Sequence, residues 1–419
     1  MRMRVLMLSW EYPPLVHGGL GRHVEALAGA VAGLGHEVTV VAPGSAEQPR
    51  PKPPGSARHV CGVRVLHPHP SDPVVALSVG DLHGHVATLG AALARVAVAA
   101  GRDATGDGDG FDLVCAHDWV VGQAAVSVAS ALDIPLVVTI HATEAGRHQG
   151  WLPGELSRSI HATEHWLTSL AARTVVCSES MRSDVQQLFG LPDARVAVVG
   201  NGVDLQRWPH GRPVQEREPL VVFAGRLEYE KGVQVLLRTV ARLRRRVPGV
   251  RVVVAGTGTY LAELRTLATK LRLGRAVTFT GRLDDDALIA LYQQAAVVAV
   301  PSIYEPFGLV ALEAAACGAP LVVSDVGGLA EFADGGRVAL TVAPDDAAAL
   351  ADGLTTVLTD RDLAEKLATR ASESADVHGW DAVAERTCSV YRDVLAGGPV
   401  DRLPVVEPPA DTNLLRPGR

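Results

Sequence analysis

Cysteine is scarce, and its spacing carries no pattern. The five residues, Cys61, Cys115, Cys177, Cys317 and Cys388, include no CxxC pair. An odd, scattered set excludes a disulfide framework, argues against a zinc site and fits reduced thiols in the cytoplasm. Cys115 and Cys177 fall inside apolar runs, where a thiol acts as a small core residue. Long apolar runs are lacking too: none approaches the roughly 18 residues of a membrane span. Val5 to Leu8 follows two arginines, but it is too short for a signal peptide and is cut off by Trp10-Glu11-Tyr12-Pro13-Pro14. Charge of one sign is not concentrated. The formal net charge is −7, with basic residues mixed among acidic ones, which argues against an extended nucleic-acid surface and still allows a local anion pocket. No GxGxxG follows the first strand, which disfavours a dinucleotide site. No DxD closes a strand, so no obligatory metal is expected.

What is present is a globular composition, 47% hydrophobic and 20% charged over 419 residues. That length implies two domains or more. The pattern is α/β. Val5 to Ser9 reads as a buried strand, then comes the turn Gly18-Gly19-Leu20-Gly21, then a helix with Val24, Leu27, Ala28 and Val31 on one face. Glu37 to Ala42 completes a βαβ unit. Residues 43–60 read as an exposed loop rich in Pro and Gly, and residues 71–100 as one or two helices. Later strands end in polar residues: His117-Asp118-Trp119, His141, Ser178-Glu179-Ser180 and Asn201-Gly202. In open α/β sheets such residues converge on a crevice beyond the carboxyl ends of the strands. Residues 207–218, poor in apolar content, read as a linker. The alternation then restarts at Val221 and runs to two amphipathic helices and a last one from Trp380. The expected organisation is a doubly wound domain 1–206, a linker 207–218, a second doubly wound domain 219–379, a helix 380–396 crossing back to the first domain, and a tail 397–419.

Three features carry chemistry. Pro301-Ser302-Ile303-Tyr304-Glu305-Pro306-Phe307-Gly308-Leu309-Val310-Ala311-Leu312-Glu313 reads as a strand-to-helix turn, with Pro306 in the first helical turn. A helix N-terminus attracts phosphate, and Gly308 lets an anion approach the backbone. Glu305 and Glu313 lie about two helical turns apart, so they suit the two ends of one extended ligand, such as a sugar joined to a nucleoside by a diphosphate. Arg226 and Lys231 follow a strand and offer phosphate a planar fork and a point charge. Gly18-Gly19 places backbone amides near a diphosphate. Taken singly, each reads as well as a tight turn or a solvated charge; their joint placement at strand ends points to a nucleotide sugar.

Together these residues resemble the retaining glycosyltransferases of family 4, with the GT-B fold of two Rossmann-like domains facing a cleft. Glu305 to Glu313 with Phe307-Gly308-Leu309 is the most specific match, and Gly225-Arg226-Leu227 with Lys231-Gly232 is the second. Trp10 to Pro14 with Gly18-Gly19-Leu20, His117-Asp118-Trp119 and His141-Ala142-Thr143-Glu144 resemble the glycogen-synthase-like branch, within it the actinobacterial α-(1→4)-glucosyltransferases. The resemblance implies roles. Arg226 and Lys231 would bind the donor diphosphate and stabilise it as it leaves. Glu313 would hold the ribose hydroxyls and Glu305 the transferred sugar. Gly18, Gly19, Gly225 and the main chain of Phe307, Gly308 and Leu309 would line the donor. His141 would lie near the anomeric carbon, and Asp118 near sugar or acceptor. ADP-glucose-dependent relatives often carry Lys just before the Gly-Gly pair; here it is His17, a weaker and pH-dependent anion partner.

The implied reaction is glucose transfer from ADP- or UDP-glucose to the 4-hydroxyl of an α-glucan or methylglucose-type acceptor, with no cofactor beyond the donor. No carboxylate is placed as an obvious nucleophile; the retaining course, with the leaving phosphate as base, is implied by the family. The expected partners are a nucleotide-diphosphate sugar and an oligosaccharide or glucan. No nucleic acid and no membrane span are expected, and self-association is left open. A mannosyltransferase using GDP-mannose on an envelope glycolipid is the rival, weakened because Arg95 alone is basic in 71–100. A sugar-nucleotide-binding protein without turnover, or an epimerase, ranks lower.

Overall fold

The computed structural model describes residues 1–16, 18–44, 58–60, 62–68, 82–102 and 110–397. They fall into two compact units. The first holds Met1–Cys177, Met181–Gly200 and the chain from Trp380, and the second holds Ser178–Ser180 and Asn201–Gly379.

The first unit runs β1 (Arg4–Leu8), α1 (Gly19–Gly33), β2 (Glu37–Val41), β3 (Arg58–Val60), β4 (Val63–Leu66), α2 (Leu82–Arg102), β5 (Leu113–His117), α3 (Gly122–Leu132), β6 (Leu136–Ile140), α4 (Glu144–Arg147), α5 (Gly154–Leu170), β7 (Arg173–Val176), α6 (Glu179–Phe189) and β8 (Val196–Val198). The last helix of the chain, α14 (Trp380–Ala396), also packs in this unit, against α1. The described strands form one sheet in the order β3-β4-β2-β1-β5-β6-β7-β8. All neighbours are parallel except β3 with β4. Strands covered by helices on both faces need apolar side chains on both, which is why β5 and β6 are buried at every position.

The second unit runs β9 (Leu220–Ala224), α7 (Val233–Arg246), β10 (Arg251–Ala255), α8 (Leu261–Lys270), β11 (Val277–Gly281), α9 (Asp285–Gln294), β12 (Val297–Val300), α10 (Leu309–Ala316), β13 (Leu321–Ser324), α11 (Gly327–Ala333), β14 (Leu340–Val342), α12 (Ala347–Thr359) and α13 (Arg361–Asp376). Its sheet, β11-β10-β9-β12-β13-β14, is parallel throughout. Chain order reverses between β9 and β12, as it does between β1 and β5 in the first unit. Loops leaving the two strands at such a switch point diverge to opposite faces and open a crevice.

Four expectations are corrected. Residues 207–218 are no free linker. Trp208 packs with Tyr292, Val214 joins the core, and the buried Arg217 donates to the carbonyls of Arg212 and Ala295. A few anchoring side chains outweigh a polar average. Within 43–60, Arg58–Val60 is a strand. Helix α10 starts at Leu309, not at Pro306, because Gly308 caps it in the left-handed region at φ 100°. An apolar stretch of span length does exist, Gly84–Arg102 in α2. His85, Thr88 and Arg95 interrupt it, so no unbroken apolar run marks it in the sequence. Its Leu89, Leu93 and Ala97 are buried, and α2 packs on α3.

One close approach fixes the second unit's switch point. Gly232 sits at φ +71°, and a Cβ there would overlap the carbonyl oxygen of Pro301. Gly249, at φ +79°, has open space where its Cβ would be. Gly249→Ala should therefore cost about 1–2 kcal/mol, the penalty for a left-handed alanine. Gly232→Ala carries a backbone clash in addition and should lower the thermal midpoint clearly further. Equal midpoints for the two variants in a calorimetric scan would contradict this packing.

Candidate active site

In the second unit, the loop after β9 carries Gly225, Arg226 and Leu227. A 3₁₀ turn, Tyr229–Lys231, then leads through Gly232 into α7. The loop is fastened to the one after β10: Gly225 N–H donates to Ala255 O at 3.0 Å, and Leu227 N–H to Thr257 O at 2.9 Å. Across the switch point, the loop after β12 holds Ser302 and Glu305. Lys231 Nζ meets Glu305 Oε2 at 2.8 Å, with the two side chains only 17% and 14% exposed. Ser302 Oγ donates to the same oxygen at 3.1 Å. Arg226 is more open, at 47%, and its guanidinium reaches Glu230 Oε1 at 3.2 Å. Glu230 in turn ties the loops together, since its carbonyl accepts Ile303 N–H at 2.7 Å. The structure thus brings Arg226, Lys231 and Glu305 onto adjoining loops. Glu313 lies half-buried in the last turn of α10.

The turn 305–308 rests on a pair of glycines that sequence reasoning missed. Gly328 N–H donates to Glu305 O at 3.0 Å, and a Cβ on Gly327 or Gly328 would strike the backbone of Glu305, Pro306 or Phe307. The signal was the doublet Gly327-Gly328 just after a strand, the same type of pattern as Gly18-Gly19.

In the first unit, the switch-point residues come from β1, β5 and the neighbouring β6. Gly18 caps α1, and its N–H is already taken by Glu11 Oε2 at 3.0 Å. The buried Glu11 was not singled out from sequence. His17 lies outside the described residues. His117 and His141 close β5 and β6, and His117 Nδ1 lies 3.2 Å from His141 Nε2. A third histidine, His23, projects from the apolar face of α1. Its ring stands edge-on to His141 at 4.7 Å and to Trp380 at 5.4 Å between centroids. A histidine among Val24, Leu27 and Ala28 was the available clue. The candidate ligand nitrogens of His23, His117 and His141 all lie within 4.8 Å of one another, so among the described residues this cluster could hold a metal ion.

Asp118 is a support rather than an exposed acid. Buried, at φ 65°, it accepts the backbone N–H of His141 on Oδ1 at 2.8 Å. Burial pushes its carboxyl up to about 6, against the His141 hydrogen bond and the charge of Arg147. Beyond His141, Thr143 caps α4 by accepting Gly146 N–H at 3.0 Å, and the buried Glu164 accepts Glu144 N–H. Burial raises Glu164 well above the usual carboxylate range.

Burial lowers His117 well below its ordinary 6.5, helped by its histidine neighbours. It brings His141 down to about 4, with Arg147 adding to the shift. Both rings are then neutral at physiological pH, and a neutral ring can donate from one nitrogen and accept at the other. Unfolded, each would take a proton near 6.5, so their contribution to stability is complete above that pH and falls as pH drops toward 4. Asp118 works against this slope, because its raised value makes the native state bind a proton first. Nuclear magnetic resonance of the imidazole carbons should show His141 unprotonated at pH 5.5. A midpoint near 6.5 would contradict the burial of this cluster.

Comparison with known proteins gives the family. Residues 17–207 match the domain described as Glycosyltransferase Family 4, and residues 192–374 match Glycosyl transferases group 1. The chain is 42% identical over 409 residues to a glycogen synthase of Mycobacterium tuberculosis, covering 97% of this chain and 99% of that one. Among solved structures, sucrose-phosphate synthase from Thermosynechococcus elongatus superposes with a TM-score of 0.79 at 24% identity, over 95% of this chain and all of that one. The catalytic domain of starch synthase IV from Arabidopsis thaliana, bound to ADP and acarbose, gives 0.75 at 15% identity, over 94% of this chain and all of that one. The chain belongs to glycosyltransferase family 4, on the glycogen-synthase-like side, and is a glycosyltransferase of the GT-B fold.

Proposed function

We propose that the enzyme transfers glucose from ADP- or UDP-glucose to the 4-hydroxyl of an α-glucan, with retention at the anomeric carbon. One observation supports this reading most. On a chain so similar to glycogen synthase, Lys231 is held against Glu305 at the switch point of the second sheet, with Arg226 on the same loop as Lys231. An ammonium has three N–H donors, and the bond to Glu305 uses one. The others can meet a phosphate oxygen while Glu305 and Ser302 keep the side chain in place. In the reaction the anomeric C–O bond breaks, and its electron pair goes to the diphosphate. Negative charge grows on the leaving oxygens, where a fixed ammonium and guanidinium act without reorganising.

In this reading Glu305 also contacts hydroxyls of the transferred glucose, and Glu313 those of the ribose. Gly225, Phe307, Gly308 and Leu309 approach the donor with their backbone. Gly19 takes the amide role at α1, since Gly18 is engaged by Glu11. The neutral His141 faces the sugar, and Asp118 and His117 set its position. The acceptor hydroxyl attacks from the face that the diphosphate leaves, and its proton passes to the departing phosphate. The reaction uses no metal, and the buried thiols of Cys115, Cys177, Cys317 and Cys388 suit a reducing cytoplasm.

A donor screen of ADP-, UDP- and GDP-sugars against maltooligosaccharides, with linkage analysis, tests the reading. It expects an α-1,4-linked glucose product, and exclusive mannose transfer would overturn it. Arg226→Ala and Lys231→Ala should each lower kcat by about 10²–10³-fold, as loss of one charge-stabilising donor does, and near-normal turnover in both would remove the leaving-group role. Activity should persist in EDTA; complete loss restored by a divalent cation would contradict the metal-free step.

A further inference from the structure

Trp151 is 55% exposed, whereas the other five tryptophans, Trp10, Trp119, Trp166, Trp208 and Trp380, are buried or half-buried. Leaving an indole in water forgoes the stabilisation of burying one of the largest apolar side chains. The backbone that presents it is also costly. Gln149, at φ 54°, and Gly150, at φ 84°, are successive left-handed residues, and the first lacks glycine's freedom. Yet the segment is firmly held. Gln149 N–H donates to Gly146 O, Gly150 N–H to Ala145 O at 2.7 Å, and Trp151 N–H to His148 O at 3.0 Å. Leu152, next in the chain, is buried. A rigid, strained turn that ends in an exposed indole is the form expected of a contact surface.

The surroundings indicate the ligand class. A broad apolar patch would suit a protein partner, but here His148, Gln149, Glu155 and Arg158 lie exposed along the same segment, and between residues 148 and 158 Leu156 is the one further exposed large apolar side chain. An aromatic plane with hydrogen-bonding groups about it matches a pyranose, which has an apolar C–H face and a rim of hydroxyls. The segment leads directly from His141 through α4 to α5. We infer that Trp151 is a stacking platform for the α-glucan acceptor, holding the chain beside the reacting end. This rests on the proposed function, which supplies the glucan.

Affinity electrophoresis of the full chain through glycogen-containing gel, without donor, tests the platform. Wild-type protein should be retarded. Trp151→Ala should lose most of the retardation, and its KM for glycogen should rise by about tenfold, as for truncation of an aromatic anchor. Trp151→Phe should restore both, and unchanged circular dichroism should show that the fold survives. Equal retardation of wild type and Trp151→Ala overturns the platform and leaves the transferase reading intact. Failure to elongate any glucan, with retardation still dependent on Trp151, overturns the transferase reading and leaves the platform standing. A wild-type dimer that becomes monomeric in Trp151→Ala, with retardation unchanged, assigns the surface to a second copy and also overturns the platform.

Discussion

Lys231 and Glu305 stand 74 residues apart in the chain and 2.8 Å apart in space. That contact is possible because β9 and β12 are neighbours in the sheet although β10, β11 and their helices lie between them in sequence. The reversal of strand order is thus what brings a cation from one loop to a carboxylate on the other. An ion pair this shielded from water pays a desolvation cost and adds little to stability on balance. Its value lies in position. It sets an ammonium at the mouth of a parallel sheet, near Arg226 on the same loop, where an anionic leaving group can be met. Gly232 lets the loop after β9 lie against Pro301, and the Gly327–Gly328 pair lets the turn 305–307 rest on the start of α11; side chains at these positions would displace the loop after β12.

The first unit solves a different problem with the same topology. Its switch point gathers histidines and carboxylates that are mostly buried and already bonded to one another. Such groups have lost hydration and regained only part of it through partners, so their protonation equilibria move toward neutrality. Asp118 and Glu164 shift up while His117 and His141 shift down. The result is a weakly charged frame around His141. In the proposed reading that frame places the neutral sugar, and Arg226 and Lys231 of the second unit meet the diphosphate.

Much of this was legible in the sequence because buried parallel strands announce themselves as short Val- and Leu-rich runs. Val5 to Ser9 and Glu37 to Ala42 fall within a residue of β1 and β2 on that signal alone, and the last helix does start at Trp380. Weak strands escaped. Leu340–Val342 and Arg58–Val60 have three residues each, too few for a period to show. Residues 207–218 misled because one buried tryptophan and one buried arginine decide the packing of a polar segment. In the site, Arg226, Lys231 and Glu305 could be named because charged residues at strand ends are conspicuous. Glu11, His23 and Gly327–Gly328 could not, since each acts through a partner distant in sequence. Where Gly18 points its amide depends on Glu11, and no spacing rule carries that information.

The account depends most on the cations of the second unit meeting the donor's diphosphate. A crystal structure of the full chain with bound ADP or UDP tests this directly. It should place diphosphate oxygens at about 3 Å, hydrogen-bonding distance, from Lys231 Nζ and the Arg226 guanidinium, with Lys231 still against Glu305. A diphosphate bound elsewhere, with both cations turned to solvent, would contradict it.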